Sequence, residues 1–151
     1  MWPLKILLLG LAVLVPSLGR CQTRPDVDYS GMYSFLRDGE FLQISIEDSK
    51  VSGFVSRYGD SASDKGTFLD QFIKSGTFDS GKITFTTEVV HGTSFSFDGL
   101  ITRAGGKTPA DEGYYLMRGS LTRYASDAEQ RATSQVRQVE FKSFPRDASP
   151  N

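Results

Sequence analysis

Residues that build metal sites and catalytic centres are scarce in this sequence. Among 151 residues there is one Cys, one His and one Trp, namely Cys21, His91 and Trp2. Zinc sites draw on several His and Cys side chains, and acid–base catalysis often uses His. His91 precedes a Gly, so its simplest role is in a turn, although Glu88 or Asp98 would be a nearby carboxylate partner for acid–base chemistry. We therefore expect no enzyme, no bound metal and no cofactor.

Long apolar runs are also absent. The main run covers residues 6–15, and ten residues are too few to cross a bilayer, which takes about 20. A basic residue precedes this run and small residues follow it at 16–22, a pattern typical of a secretory signal peptide. We predict cleavage after Cys21, with Gly19 and Cys21 at the minus-three and minus-one positions. Cleavage after Gly19 is the alternative.

Cys21 allows a second interpretation of this segment. A Cys that follows a short apolar run can be the lipidated residue of a bacterial lipoprotein, but that motif requires a small residue before the Cys, where this chain has Arg20. We therefore predict a secreted or periplasmic protein and keep a lipid anchor on Cys21 as the alternative. If cleavage follows Cys21, the mature domain has no Cys and must fold without a disulfide.

The charge of the mature chain is slightly negative. Loss of Lys5 and Arg20 with the signal peptide leaves 15 basic and 18 acidic side chains, a net charge of −3 with His neutral. A nucleic-acid partner would need a basic surface, and so would an anionic membrane. The charge therefore indicates neither partner. After the signal peptide no apolar run is long enough for a membrane-spanning helix.

Alternating apolar and polar residues dominate the middle of the chain. The ranges 69–78, 82–90 and 93–103 each fit a strand, and short turns at 79–81 and 91–92 join them. Alternation with β-branched and aromatic residues, broken by Gly-containing turns, is typical of a β-meander. On the second of these strands one face carries Ile83, Phe85, Thr87 and Val89. Phe85 is the core residue that we expect there.

Five further strands flank this meander. We predict them at 29–37, 41–47, 51–58, 113–124 and 136–144. Ser126 followed three residues later by Glu129 is a capping-box pattern, which predicts a short helix within 126–135. Residues 68–73 fit either the start of a strand or one face of a short helix.

The predicted fold class is all-β. Eight strands in sequence order with short turns indicate an antiparallel up-and-down barrel, or a strongly curled meander, with one or two short helices. Glycines inside five strands, at 31, 53, 76, 99 and 119, predict bends of such a sheet, with an old duplication as the alternative. The predicted parts are a signal peptide (1–21), a polar lead-in (22–28), one barrel domain (29–144) and a flexible tail (145–151).

Three short motifs resemble the strand starts of avidin-like and lipocalin-like (calycin) barrels. They are Ser30-Gly31-Met32-Tyr33, Val51-Ser52-Gly53-Phe54 and Ser75-Gly76-Thr77-Phe78. The resemblance implies a barrel that holds a small ligand. Avidins enclose biotin with several Trp residues, and the predicted mature chain has none. The lipocalin Gly-x-Trp motif of the first strand is replaced here by Gly31-Met32-Tyr33. The whole sequence also resembles small exported bacterial proteins, which imply no function.

An eight-stranded barrel is wide enough either to be filled by side chains or to hold one small ligand. We therefore predict an exported, non-enzymatic binding module for a small, partly apolar ligand. The alternative is a structural or protein-interaction envelope protein with a filled core. Polar or amphipathic residues on strands and at strand ends are the candidate ligand-binding residues: Arg57, Tyr58, Gln71, Lys74, His91 and Tyr115.

Overall fold

The computed structural model describes residues 27–126 and 131–146, which form eight strands and no helix. The strands are β1 (Gly31–Ser34), β2 (Phe41–Glu47), β3 (Lys50–Tyr58), β4 (Phe68–Asp79), β5 (Lys82–Thr87), β6 (Thr93–Arg103), β7 (Tyr115–Ser126) and β8 (Ala132–Lys142). The all-β class is therefore confirmed. The one or two short helices predicted with it are not found in the described ranges. These ranges also contain no helix long and apolar enough to cross a membrane.

The strands form one antiparallel sheet in which each pairs with its neighbour in sequence. The sheet curls until its two edges meet, where Tyr33 of β1 forms an antiparallel bridge with Ser143, just after β8. Beside this bridge the amide of Phe144 donates to the carbonyl oxygen of Met32 at 2.9 Å. This short seam gives the curled up-and-down barrel that the sequence predicts.

The barrel interior is filled with apolar side chains. Alternate residues of each strand point inward, because successive side chains of a strand lie on opposite faces. The most deeply buried include Tyr33, Leu42, Val55, Phe85, Phe97, Met117, Leu121 and Phe141. The rings of Phe85 and Phe97 stack with their centroids 5.3 Å apart. Within the described ranges every buried side-chain N or O atom has a hydrogen-bond partner.

The observed strands refine several predicted bounds. The strands predicted at 41–47 and 93–103 have the bounds of β2 and β6. Residues 68–73 belong to β4, so the helical alternative for this segment is wrong. The first strand is shorter than predicted because the chain leaves the sheet after Ser34. The strand predicted at 82–90 ends at Thr87. Val89 therefore lies beyond the strand, where its side chain does not point into the barrel, and it is 67% exposed.

The prediction of a short helix within 126–135 is wrong at residue 126 and at residues 131–135, which the structure describes. Ser126 is the last residue of β7, and it pairs directly with Ala132, the first residue of β8. Pairing between the strands uses the backbone groups that a helix would need, so tertiary context overrides the capping-box pattern. Glu129, the other half of that pattern, lies outside the described residues.

Gly99 and Gly119 face each other across β6 and β7. A Cβ on Gly119 would lie 2.3 Å from the carbonyl oxygen of Asp98, and one on Gly99 would lie 2.6 Å from the ring of Phe97. The two backbones therefore approach too closely for a side chain at either position. The close approach accounts for Gly at both positions, and the bends expected there stay a prediction.

The first residues of the predicted tail are held against the barrel. The Arg146 guanidinium donates to the carbonyl oxygens of Asp28 and Ser30 and lies 5.4 Å from the ring centroid of Tyr115. Its amide donates to the carbonyl oxygen of Pro109 at 2.9 Å. Arg146 therefore packs on the barrel end that carries Tyr115. The predicted signal peptide, most of the lead-in and residues 147–151 lie outside the described ranges.

Candidate functional site

Alternate turns of an up-and-down barrel lie at the same end. Here the loops after β1, β3 and β5 come together. The Arg37 guanidinium donates to the carbonyl oxygen of Tyr58 at 2.9 Å, and that of Arg57 to the carbonyl oxygen of Val90 at 3.4 Å. We call this end the mouth and define it by the residues that line its cavity: Leu36, Arg37, Glu40, Arg57, Asp60, Phe95, Arg123, Gln135 and Arg137.

The mouth cavity has a volume of about 440 Å³. A smaller cavity of about 210 Å³ shares Arg57, Asp60 and Arg123 with it. Sites for small ligands typically have volumes of about 300–1,000 Å³. The mouth is therefore large enough for a small molecule even though the interior beneath it is filled.

Buried charge distinguishes the mouth from the other cavities. Among the described residues the buried charged side chains are Glu40 and Arg57, and both line the mouth. A cavity of about 460 Å³ at the opposite end is lined by Asp28, Asp48 and apolar or hydroxyl neighbours. Another of about 690 Å³ lies between the loop after β6 and the outer side of β8. Charged groups are costly to bury, so the two buried charges make the mouth the candidate site.

Arg57 and Gln71, both predicted from the sequence, are brought together beneath the mouth. Nε of Arg57 donates to Oε1 of Gln71 at 2.9 Å. Nε2 of Gln71 lies 3.1 Å from Oγ1 of Thr87 and 2.6 Å from the carbonyl oxygen of Thr93. Gln71 therefore fixes the guanidinium plane of Arg57 from below. Burial lowers the pKa of Arg57, and the nearby carboxylate of Asp60 opposes that change.

Glu40 is a site residue that the sequence analysis missed. It is 2% exposed, and its carboxylate accepts hydrogen bonds from Nε of Arg37 at 2.8 Å and from the amide of Tyr58 at 3.0 Å. The amide of Arg37 is a third donor at 3.1 Å. Glu40 therefore ties the loop after β1 to the end of β3, and its bonding capacity is largely used within the protein.

His91 lies at the edge of the mouth and pairs with a different carboxylate from those considered in the sequence. Its Nδ1 is 2.6 Å from Oδ2 of Asp64, so neither Glu88 nor Asp98 is its partner. The hydrogen bond from His91, followed by that from Ser61, lowers the pKa of Asp64. This contact joins the loop after β3 to the turn after β5. No cluster of three or more potential metal ligands occurs in the described ranges.

The other predicted site residues do not line the cavity. Tyr58 borders it: its ring packs on Phe68, with centroids 4.3 Å apart, and lies 5.6 Å from the guanidinium carbon of Arg37. Lys74 is exposed on β4. Tyr115 lies at the opposite end of the barrel, 4.8 Å from the ring centroid of Tyr29. The structure therefore gathers Arg57, Gln71 and His91 in one region that Tyr58 borders, and it separates Lys74 and Tyr115 from that region.

The eight strands form a curled up-and-down barrel with a loop-lined mouth at one end. No family model matches the sequence, and no curated protein matches it either.

Two solved structures are similar in fold. Intact afifavidin in its apo form has 14% identity and a TM-score of 0.56, covering 81% of this chain and 85% of that chain. The bradavidin2–biotin complex has 13% identity and a TM-score of 0.53, covering 76% of this chain and 94% of that chain. The chain therefore has the avidin-like barrel fold.

Proposed function

We propose that the protein is a non-enzymatic binding module that holds a small, partly apolar ligand at the mouth of its barrel. The mouth cavity carries this proposal, because it combines buried polar groups with apolar surface. Leu36 and Phe95 supply the apolar wall, and Arg57 supplies a fixed polar group beside them. Convergent polar groups in a mostly preformed cavity are typical of small-ligand sites. The avidin-like fold supports the same class of function, since a structural neighbour is a biotin complex.

The mouth, and not the barrel interior, is the proposed location. The interior is occupied by large side chains such as Phe85, Phe97 and Phe141, each at most 2% exposed. Its described polar groups already have hydrogen-bond partners within the protein. A ligand placed inside would have to displace this packed core, which would cost several kcal/mol.

An outer row of aromatic side chains favours a second function, namely protein interaction. Phe41, Phe54 and Phe72 lie across β2, β3 and β4, with ring centroids 5.9 Å and 5.8 Å apart along the row. Phe72 is 61% exposed. Exposed apolar patches often mark contact surfaces, and a filled core suits a protein whose outer face carries the function.

A probe titration distinguishes the two functions. We expect 1-anilinonaphthalene-8-sulfonate, a fluorescent probe with an apolar ring system and a sulfonate group, to bind the wild-type protein. Calorimetry with biotin should show no tight binding. Leu36→Ser should weaken probe binding because it removes apolar wall from the mouth, and Phe72→Ser on the outer face is the matched control. Sub-micromolar biotin binding would contradict the proposed mode of binding at the mouth. Avidins enclose the biotin rings with Trp side chains, and this sequence has no Trp after Trp2. Failure of the probe to bind, or loss only in Phe72→Ser, would favour the interaction protein.

We propose further that the protein is exported and that its mature chain begins at Gln22. The basic start, the apolar run at 6–15 and the small residues after it support this proposal. The intact mass of the protein secreted by a bacterial host should match a chain that starts at Gln22. A mass increase for a diacylglycerol group on Cys21 would show a lipid-anchored protein instead.

A further inference from the structure

Positive charge dominates the mouth. Its described lining contains four guanidinium groups, those of Arg37, Arg57, Arg123 and Arg137, and two carboxylates, those of Glu40 and Asp60. Glu40 is engaged by the Arg37 side chain and two backbone amides, and its side chain is 1% exposed. It therefore has little capacity left for the other three guanidinium groups.

Asp60 is shared among three of these cations. One oxygen, Oδ2, lies 3.2 Å from Nη1 of Arg57 and 3.0 Å from Nη2 of Arg123. The other, Oδ1, lies 3.4 Å from Nη2 of Arg37. The Asp60 side chain is 43% exposed and belongs to the loop after β3, not to a strand. A single, partly exposed carboxylate thus occupies the position between the guanidinium groups.

The Arg57 guanidinium is held in a fixed orientation beneath the mouth, which favours anion binding. Its side chain is 3% exposed, and the Gln71 bond at 2.9 Å fixes the orientation of the guanidinium. Its pKa is lowered by burial and by the charges of Arg123 and Arg37, whereas Asp60 and Glu40 raise it. Nη1 of Arg57 also donates to the carbonyl oxygen of Tyr58 at 3.2 Å, so Arg57 offers a carboxylate one charge-assisted hydrogen bond at the Asp60 position and Arg123 offers another.

We propose that the mouth binds the carboxylate of a small apolar acid, which replaces Asp60 between Arg57 and Arg123. The Asp60 carboxylate marks where the acid group binds, and Leu36 and Phe95 contact its hydrocarbon part. This inference rests on the proposed function and specifies the class of ligand. Displacement of a loop residue couples binding to movement of the loop after β3, which the His91–Asp64 contact holds to the neighbouring turn.

Calorimetry with octanoate and with octan-1-ol tests this inference, because the two molecules share a hydrocarbon chain and differ in charge. Charge-assisted hydrogen bonds contribute about 1.5–3 kcal/mol, so octanoate should bind roughly 10- to 100-fold more tightly than octan-1-ol. Asp60→Asn should increase the octanoate affinity several-fold, because the internal competitor loses its charge. Arg123→Gln should decrease it by about 10-fold or more, and both substitutions should change octan-1-ol affinity much less than octanoate affinity.

Arg118→Gln provides the matched control. Arg118 lies on β7, the same strand as Arg123, but pairs with Glu140 on the outer face at 2.6 Å. This variant should bind both molecules as the wild-type protein does. Equal binding of octanoate and octan-1-ol would overturn the carboxylate inference and leave the proposed function standing. Weaker octanoate binding by Asp60→Asn would also overturn it. Binding of neither molecule would contradict the proposed function itself.

Discussion

Replacing Phe85 by Ala should lower the free energy of unfolding by about 3–5 kcal/mol. The side chain is 2% exposed and stacks on Phe97 with an interplanar angle of 21°. Its removal would leave a cavity in the middle of the barrel, because the strands on either side are held in register by their hydrogen bonds. Urea unfolding followed by far-UV circular dichroism measures the change.

Phe72→Ala is the matched control for this substitution. Phe72 is the same residue type on the neighbouring strand β4 but is 61% exposed on the outer face. Its loss should cost less than about 1 kcal/mol, as is usual for surface positions. A loss near zero for Phe85→Ala, together with a large loss for Phe72→Ala, would mean that the inner and outer faces of these strands are assigned the wrong way round.

Gly119→Ala should destabilise the barrel by about 1–3 kcal/mol. The new Cβ would lie 2.3 Å from the carbonyl oxygen of Asp98 and 2.5 Å from the Cα of Gly99. Both contacts are with backbone, so relief requires β6 and β7 to separate. The same urea titration measures the loss.

Gly105→Ala controls for the general effect of replacing Gly. An added Cβ at Gly105 meets no atom within 4 Å. This variant should therefore remain within about 0.5 kcal/mol of the wild-type protein. A fully stable Gly119→Ala protein would show that the close approach of β6 and β7 is not a constraint on the fold.

Much of the fold is predictable because one physical signal dominates it. Burial of one sheet face forces alternation, so β2 and β6 have the bounds that alternation gives. The signal fails where burial stops, as at Val89, and where long-range pairing competes with local pattern. At Ser126 the capping-box pattern favours a helix, whereas pairing with Ala132 continues the sheet.

The candidate site was predictable only in part. Arg57 and Gln71 were identified as polar residues at strand ends, but their contact follows from the register of β3 against β4. Asp60 and Arg123 meet although 63 positions separate them, so no local pattern links them. Tyr115 is at the start of β7 and Arg123 near its end, which places them at opposite ends of the barrel. The predicted strand at 113–124 and the up-and-down order already imply this separation, so Tyr115 and Arg57 could not both lie at the same end.

Binding at a charged mouth above a filled interior is the central claim, and mapping octanoate binding by NMR tests it most directly. Titration should shift the guanidinium resonances of Arg57 and Arg123 and the amides of the loop after β3. The methyl resonances of the buried Ile83, Met117 and Leu121 should remain unchanged, because these side chains lie in the packed interior. Large shifts of those methyl groups with an unperturbed mouth would place the ligand inside the barrel and contradict the account.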